Sequence, residues 1–170
     1  FRSTGHILLQ EKMPIDEQDT AGTLHERLKH QGAQLVRKTV QAIAQGRYTT
    51  RAQPSIPPNL LRKAPKLYRK DCQINWQQDA TAILNFIRGL SPHPGAWTIL
   101  QGNCIKILAA RQVVGTKLRP SAIRSDGKHY LYVGAQYEAI AVEQLQPAGK
   151  RPMDIQAFLR GRPLNLSTQF

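Results

Sequence analysis

A stretch of 24 residues, 47–70, constrains the fold of this 170-residue chain more than any other feature. It contains four prolines, which are Pro54, Pro57, Pro58 and Pro65. Proline lacks a backbone N–H and disfavours helical conformation in the residue before it, so the stretch can form neither a long helix nor a central strand. We therefore predict an extended, fairly stiff connector between residues 1–46 and residues 71–170.

Positive charge is concentrated in the same stretch. Lys and Arg together number 24 and Asp and Glu 11, which gives a formal net charge of +13. Residues 47–70 carry seven basic side chains and no acidic one, whereas residues 1–46 contribute +1 and residues 71–170 contribute +5. Clustered cations without acids favour a polyanionic partner, above all the phosphates of a nucleic acid. The alternative is a linker that is basic only for solubility.

Residues 1–46 predict one strand and one long helix. His6–Met13 has the composition of a strand that ends before Pro14. Thr23 and Glu26 have capping-box spacing, and apolar residues then recur at helical intervals as far as Gly46, which predicts a helix over 24–45. Because a strand and a helix cannot enclose a core, we interpret residues 1–46 as the end of an α/β domain.

Residues 71–170 predict a small β-barrel with peripheral helices. Helices are expected at Gln78–Gly89 and Met153–Arg160. Between them, runs typical of short strands are separated by turn residues. These runs are Ala96–Leu100, Cys104–Ala109, Tyr130–Val133 and Ala139–Leu145. Several short strands within about 100 residues favour an OB-like fold.

Several classes of protein and site are excluded. The apolar runs span only a few residues, whereas a membrane helix needs roughly 20, and no signal-peptide pattern opens the chain. Two cysteines cannot build a disulfide scaffold or a zinc site, and the five histidines lack ligand spacing. Phosphate-binding Gly-rich loops, GxSxG and HExxH are absent. We expect a cytoplasmic protein that binds no metal.

Four segments resemble methionyl-tRNA formyltransferases, in that family's order and over nearly the whole chain. The most specific is LQPAGKRPM at 145–153, and the others are DTAGTL at 19–24, IRGLSPHPGAW at 87–97, and Ala64-Pro65-Lys66 followed by Ile74-Asn75-Trp76. The resemblance implies a Rossmann-like domain that binds 10-formyltetrahydrofolate, a basic linker and an OB-like barrel that helps to hold tRNA. Residues 1–46 would end the first domain, 47–70 would be the linker and 71–170 the tRNA-binding domain of a monomer.

The implied reaction is transfer of a formyl group to the α-amino group of methionine on initiator tRNA. Family members use an Asn, a His and an Asp, and the Asn, the His and the folate-binding loop would lie before Phe1. This chain alone would then bind no folate and be inactive. Ser3 stands at the position of the family's Asp, and a hydroxyl cannot replace a carboxylate that takes up a proton. Either this turn is catalytically weakened, or the residues before Ser3 are not its true neighbours.

Phosphate contacts are expected from the linker and from a tight turn at 147–149 that presents the next two residues. The expected nucleic-acid-binding residues are Arg62, Lys63, Lys66, Arg69, Lys70, Lys150 and Arg151. Aromatic residues are only 6% of the chain, and we expect Trp76 and Trp97 to be buried. Base stacking is therefore not expected to be the main mode of binding, and backbone contacts to a folded RNA are predicted rather than the reading of a single strand.

Two alternatives stay open. One is a sugar-nucleotide formyltransferase, as in the lipid A arabinose pathway, although a small substrate gives the basic linker no role. The other is a non-enzymatic RNA-binding barrel module, although such a module has no reason to keep an incomplete α/β unit. An Asn-x-His pair and a folate loop upstream of Phe1 would favour the enzyme over both.

Overall fold

The computed structural model of the chain describes residues 5–54, 57–60 and 64–161. These residues form two compact units. The first unit comprises the residues up to Glu17 together with Thr23–Lys66, and the second, here called the C-terminal unit, comprises Gln18–Gly22 and the residues from Leu67 onward.

The first unit is built on one helix, α1, which spans Ala21–Ala44. Gly46 closes its C-terminus with a φ of +65°, and the Gly46 N–H donates to the Ile43 carbonyl at 3.0 Å. The Arg47 N–H donates to the Ala42 carbonyl at 2.9 Å, so two of the final carbonyls are satisfied. The predicted helix stop at Gly46 is confirmed.

The apolar stripe of α1 is exposed. No residue of α1 is buried, and four of its large apolar side chains are at least 47% exposed, namely Leu28, Val36, Val40 and Ile43. The preceding segment is tied to α1 by two ion pairs, Lys38–Glu11 at 3.0 Å and Arg27–Asp16 at 3.2 Å. Exposed pairs of this kind contribute little to stability. Because none of the described residues of the first unit is buried, this part of the unit has no hydrophobic core.

Two sequence predictions for this unit are wrong. His6–Met13 is not a strand, because its only β-pairing in the described residues is the antiparallel bridge between Ile7 and Arg51. A strand requires a neighbouring strand along its length, and one bridge does not supply it. Thr23 lies inside the first turn of α1, which begins at Ala21, so Thr23 is not the N-cap. Residues 5–46 therefore consist of one helix with a mostly irregular lead-in.

The described part of 47–70 contains neither an α-helix nor a strand, as the prolines predict. Its regular structure is limited to a 3₁₀ turn at Pro58–Leu60 and the start of another at Arg69–Cys72.

The C-terminal unit is centred on an antiparallel sheet in the order β1-β2-β5-β4-β3, with β6 beside β5. The strands are β1 Ala96–Leu100, β2 Asn103–Val113, β3 Ile123–Ser125, β4 Leu131–Gly134, β5 Ala139–Pro147 and β6 Met153–Asp154. The pairing of β2 with β5 shifts register between Ile107 and Ala110, which marks a bulge where the strands bend and the sheet curls. Among the described residues, no pairing joins the edge strands β1 and β3.

Two helices pack on this sheet. Helix α2 spans Ala80–Leu90, and the Asp79 carboxylate caps it by accepting from the Ala82 N–H at 2.8 Å. Helix α3 spans Ile155–Gly161. The core combines one face of α2, including Ile83 and Ile87, with inward-pointing strand residues that include Ile105, Ile107 and Leu145. Each of these five side chains is 1% exposed.

The antiparallel sheet with peripheral helices confirms the coarse fold prediction for this unit. β1 has the predicted bounds, β2 and β5 extend beyond theirs, and the helix expected at Met153–Arg160 begins only at Ile155 because Met153 and Asp154 pair with β5. β3 was not predicted. Within the described residues, no helix is long and apolar enough to span a bilayer.

Candidate nucleic-acid interface

The structure describes four of the predicted phosphate-binding residues within the C-terminal unit. Arg69 and Lys70 belong to the 3₁₀ turn Arg69–Cys72, while Lys150 and Arg151 follow β5, and all four are exposed. Lys66 is exposed in the first unit. Ser3, Arg62 and Lys63 lie outside the described residues, so their predicted roles stay predictions.

The turn after β5 is held by a set of local hydrogen bonds. The Lys150 N–H donates to the Pro147 carbonyl at 3.0 Å, and the Ala148 N–H donates to the Cys104 carbonyl of β2 at 3.2 Å. The Gln146 side-chain amide donates to the Lys150 carbonyl at 2.9 Å. The predicted tight turn is confirmed, and it presents Lys150 and Arg151 at the end of a strand.

Arg69 is positioned by both its backbone and its side chain. The Trp97 indole Nε1–H donates to the Arg69 carbonyl at 2.7 Å, and the guanidinium carbon lies 5.3 Å from the centre of the Trp97 ring. The guanidinium Nη2 also lies 3.5 Å from the Cys104 Sγ. A cation over the face of an indole is attracted by its π-electrons, so the planar guanidinium has a preferred position against β1.

The C-terminal unit also contains a lysine that the sequence analysis missed. Lys106 in β2 lies opposite Trp97 in β1 and Gln146 in β5, so these three residues form a row across the sheet. Its stem passes over Gly95, where an added Cβ would lie 2.8 Å from the Lys106 Cδ. Alternation with the buried Ile105 and Ile107 is the sequence signal that could have identified Lys106 as outward-facing.

These residues surround a cleft of about 490 Å³, here called the basic cleft. Its lining includes Tyr68, Arg69, Trp97, Lys106, Gln146 and Gly149. Trp97 is only partly buried, so the prediction that both tryptophans are buried is wrong for this one. Trp76 is buried, and its indole N–H donates to the Thr98 Oγ1 at 3.1 Å.

None of the described residues that line the basic cleft is acidic. Nor do the described residues include three or more His, Cys, Asp or Glu side chains grouped to hold a metal ion. The chemistry that this surface supports is therefore the binding of an anion, through Arg69 and Lys106 within the cleft and Lys150 and Arg151 beside it.

The C-terminal unit matches a known protein family. Residues 66–163, more than half of the chain, match the model of the formyl transferase C-terminal domain. The chain belongs to the formyl transferase family. Among curated relatives, the methionyl-tRNA formyltransferase of Azobacteroides pseudotrichonymphae is 38% identical over 178 residues, which cover 98% of this chain and 54% of the relative. The chain thus spans about half the length of the curated relatives it matches, and its resemblance to methionyl-tRNA formyltransferases is confirmed.

Solved structures of other proteins share the fold at lower identity. HypX from Aquifex aeolicus, in a multiply substituted variant, aligns over 92% of this chain and 28% of its own with a TM-score of 0.70 and 14% identity. WlaRD, a sugar 3N-formyl transferase, aligns over 87% of this chain and 51% of its own with a TM-score of 0.53 and 22% identity. At these identities the likeness concerns the fold, and it does not separate one formyl acceptor from another.

Proposed function

We propose that this chain is the tRNA-binding part of a methionyl-tRNA formyltransferase, a monomeric enzyme of translation initiation in the cytoplasm. In this proposal residues 1–46 end a Rossmann-like catalytic domain, residues 47–70 are a basic linker, and residues 71–170 are an OB-like domain that binds initiator tRNA. The observation that carries the proposal is the 38% identity over 98% of the chain to a protein of that name.

The exposed apolar stripe of α1 supports the assignment of residues 1–46. A helix with four large apolar side chains that are 47–62% exposed needs another element against which to bury them. The curled antiparallel sheet with short edge strands supports the OB-like assignment, because such sheets place loops and strand ends around a nucleic-acid surface.

The role of this chain in the reaction is to bind and orient the tRNA. The reaction transfers a formyl group from 10-formyltetrahydrofolate to the α-amino group of methionine, which requires the acceptor end to be held in place while the amine attacks. Arg69, Lys70, Lys150 and Arg151 contribute charge to phosphates, and Lys66 contributes from the linker.

The folate co-substrate is assigned to other residues of the whole enzyme. The pterin ring presents an amino group beside a ring N–H, which are donors that a carboxylate would accept. None of the described residues lining the basic cleft is acidic. The cleft therefore offers these donors no carboxylate partner, and the pterin is not assigned to it.

A sugar-nucleotide formyltransferase is the second candidate, because the sugar formyltransferase WlaRD shares the fold. The curated relatives favour tRNA, since proteins 34–40% identical to this chain carry the name methionyl-tRNA formyltransferase. The charge of the linker agrees, because seven cations without an acid match a polyanion better than a small nucleotide.

A formylation assay on the full-length protein that contains this sequence separates the candidates. With 10-formyltetrahydrofolate as donor, we expect turnover with methionyl initiator tRNA and none with an amino-sugar nucleotide; the opposite preference would refute the proposal. The 170-residue chain alone should bind tRNA without formylating it. Turnover by the chain alone would show that the catalytic residues have been misplaced.

A further inference from the structure

The basic cleft of the C-terminal unit has the size of a site for one nucleotide. Its volume of about 490 Å³ lies within the range of small-molecule sites in proteins, roughly 300–1,000 Å³. Arg69 and Lys106 line it, and none of its described lining residues is acidic. The cleft is therefore suited to an anionic ligand of about this size.

Planar groups lie at one side of the cleft. The Arg69 guanidinium carbon lies over the Trp97 ring, 5.3 Å from its centre, and the Tyr68 side chain, next to Arg69 in sequence, is 58% exposed. Unpaired RNA bases stack on aromatic rings and on guanidinium planes, whereas bases inside a duplex are already stacked on each other. This side of the cleft favours an unpaired base.

The phosphate partner is restrained as well. The stem of Lys106 passes over Gly95, where there is no side chain to displace it, and Lys106 lines the cleft from the row that it forms with Trp97 and Gln146. Gly149 lines the cleft, and Lys150 follows it directly. A phosphate joined to a base on Arg69 or Tyr68 would thus lie among cations.

We propose that the basic cleft binds one unpaired nucleotide of the RNA, with the base stacked on Arg69 or Tyr68 and the phosphate near Lys106. The RNA in this statement rests on the proposed function. The same chemistry predicts that a free nucleoside 5′-monophosphate also binds, more weakly than the RNA. Stacking of this single base would add to the phosphate contacts, which stay the main mode expected from the sequence.

The two tryptophans provide the readout. The indole N–H of Trp97 lies at the cleft, whereas that of Trp76 is bonded to Thr98 in the core. In the ¹⁵N-labelled chain, we expect adenosine 5′-monophosphate to shift the Trp97 indole resonance saturably and to leave the Trp76 resonance in place. Inorganic phosphate should bind about tenfold more weakly, because it lacks a base to stack.

Charge-removing variants assign the site. Arg69→Gln keeps the backbone carbonyl that Trp97 contacts, and Lys106→Gln keeps most of the stem over Gly95, so both should fold. Each should weaken binding of the monophosphate by about tenfold, the scale of one lost charge-assisted contact. Lys128→Gln is the matched control, because Lys128 is exposed between β3 and β4 and is not among the residues lining the cleft.

Three results would overturn the proposal. They are a Trp97 resonance that the monophosphate does not move, equal affinity for phosphate and monophosphate, and affinity that Arg69→Gln and Lys106→Gln leave unchanged. Binding of initiator tRNA is measured separately. If tRNA binds while the monophosphate leaves Trp97 unmoved, the cleft proposal fails and the proposed function stands; if the monophosphate binds but tRNA does not, the proposed function fails and the RNA part of this proposal with it.

Discussion

Replacing Gly95 by alanine should destabilise the C-terminal unit through two separable effects. The φ of Gly95 is +86°, a conformation that costs an L-residue about 1–2 kcal/mol. The new Cβ would also lie 2.8 Å from the Lys106 Cδ and 3.5 Å from its Cβ and Cγ, so the stem must leave its position. Forcing such a side chain from its rotamer costs about 0.5–1.5 kcal/mol. We expect the free energy of unfolding to fall by about 1.5–3.5 kcal/mol, the sum of the two effects.

Gly102→Ala is the matched control. Gly102 lies in the β1–β2 turn with a φ of +74°, and an added Cβ there would meet nothing within 4 Å. The free energy of unfolding of Gly102→Ala should therefore fall only by the conformational part, about 1–2 kcal/mol. Urea unfolding followed by far-UV circular dichroism measures both, and Lys106→Ala in the Gly95→Ala background should recover the contact part. Equal losses in the two glycine variants would refute the contact, and a neutral Gly95→Ala would refute the conformational argument as well.

Three further predictions concern the core, an acidic cap and the N-terminal turn. Ile107→Ala, at the centre of the core, should lower the free energy of unfolding by about 2–5 kcal/mol in urea titration, and a loss below about 1 kcal/mol would contradict the packing described. The backbone N–H groups of His129 and Lys128 hold the pKa of Asp126 below its ordinary value of 3.8. The ionised Asp126 carboxylate therefore stabilises the folded state above about pH 4, and this contribution is lost as the pH falls further. The difference in Tm between wild type and Asp126→Ala should then be larger at about pH 7 than at about pH 2, and an equal difference would refute it. In the full-length protein, Ser3→Asp should raise the turnover number about 10²-fold if Ser3 stands at the position of the catalytic Asp; no change would mean that the residues before Ser3 are not its true neighbours.

Features set by neighbours in sequence were predictable. Gly46 ends α1 because a left-handed residue is needed there, and β1 has the predicted bounds because turn residues flank it. The turn at 147–149 was predictable for the same reason. The start of α1 was not, because hydroxyl side chains at Thr20 and Thr23 both suit a helix N-terminus and the pattern does not choose between them.

Features set by strand register were not predictable. Lys106 and Trp97 become neighbours only when β1 pairs with β2, and the 3₁₀ turn places Arg69 over Trp97 from outside the sheet. The expected strand at His6–Met13 failed for a related reason, because only one bridge to Arg51 supports it. The basic cleft therefore depends on non-local contacts that composition and periodicity do not reveal.

A salt series of tRNA affinity tests whether the exposed cations Lys70, Lys150 and Arg151 of the C-terminal unit bind tRNA phosphates. The triple variant Lys70→Ala, Lys150→Ala and Arg151→Ala should weaken initiator and non-cognate tRNA alike, because phosphates carry no sequence. It should also flatten the slope of log affinity against log salt by roughly 2–3, since each lost contact contributes about 0.7–0.9. The control triple Lys117→Ala, Arg124→Ala and Lys128→Ala removes the same charge from exposed positions elsewhere on the unit and should leave the slope nearly unchanged. Equal effects of the two triple variants, or unchanged affinity in both, would contradict the binding of tRNA phosphates by Lys70, Lys150 and Arg151.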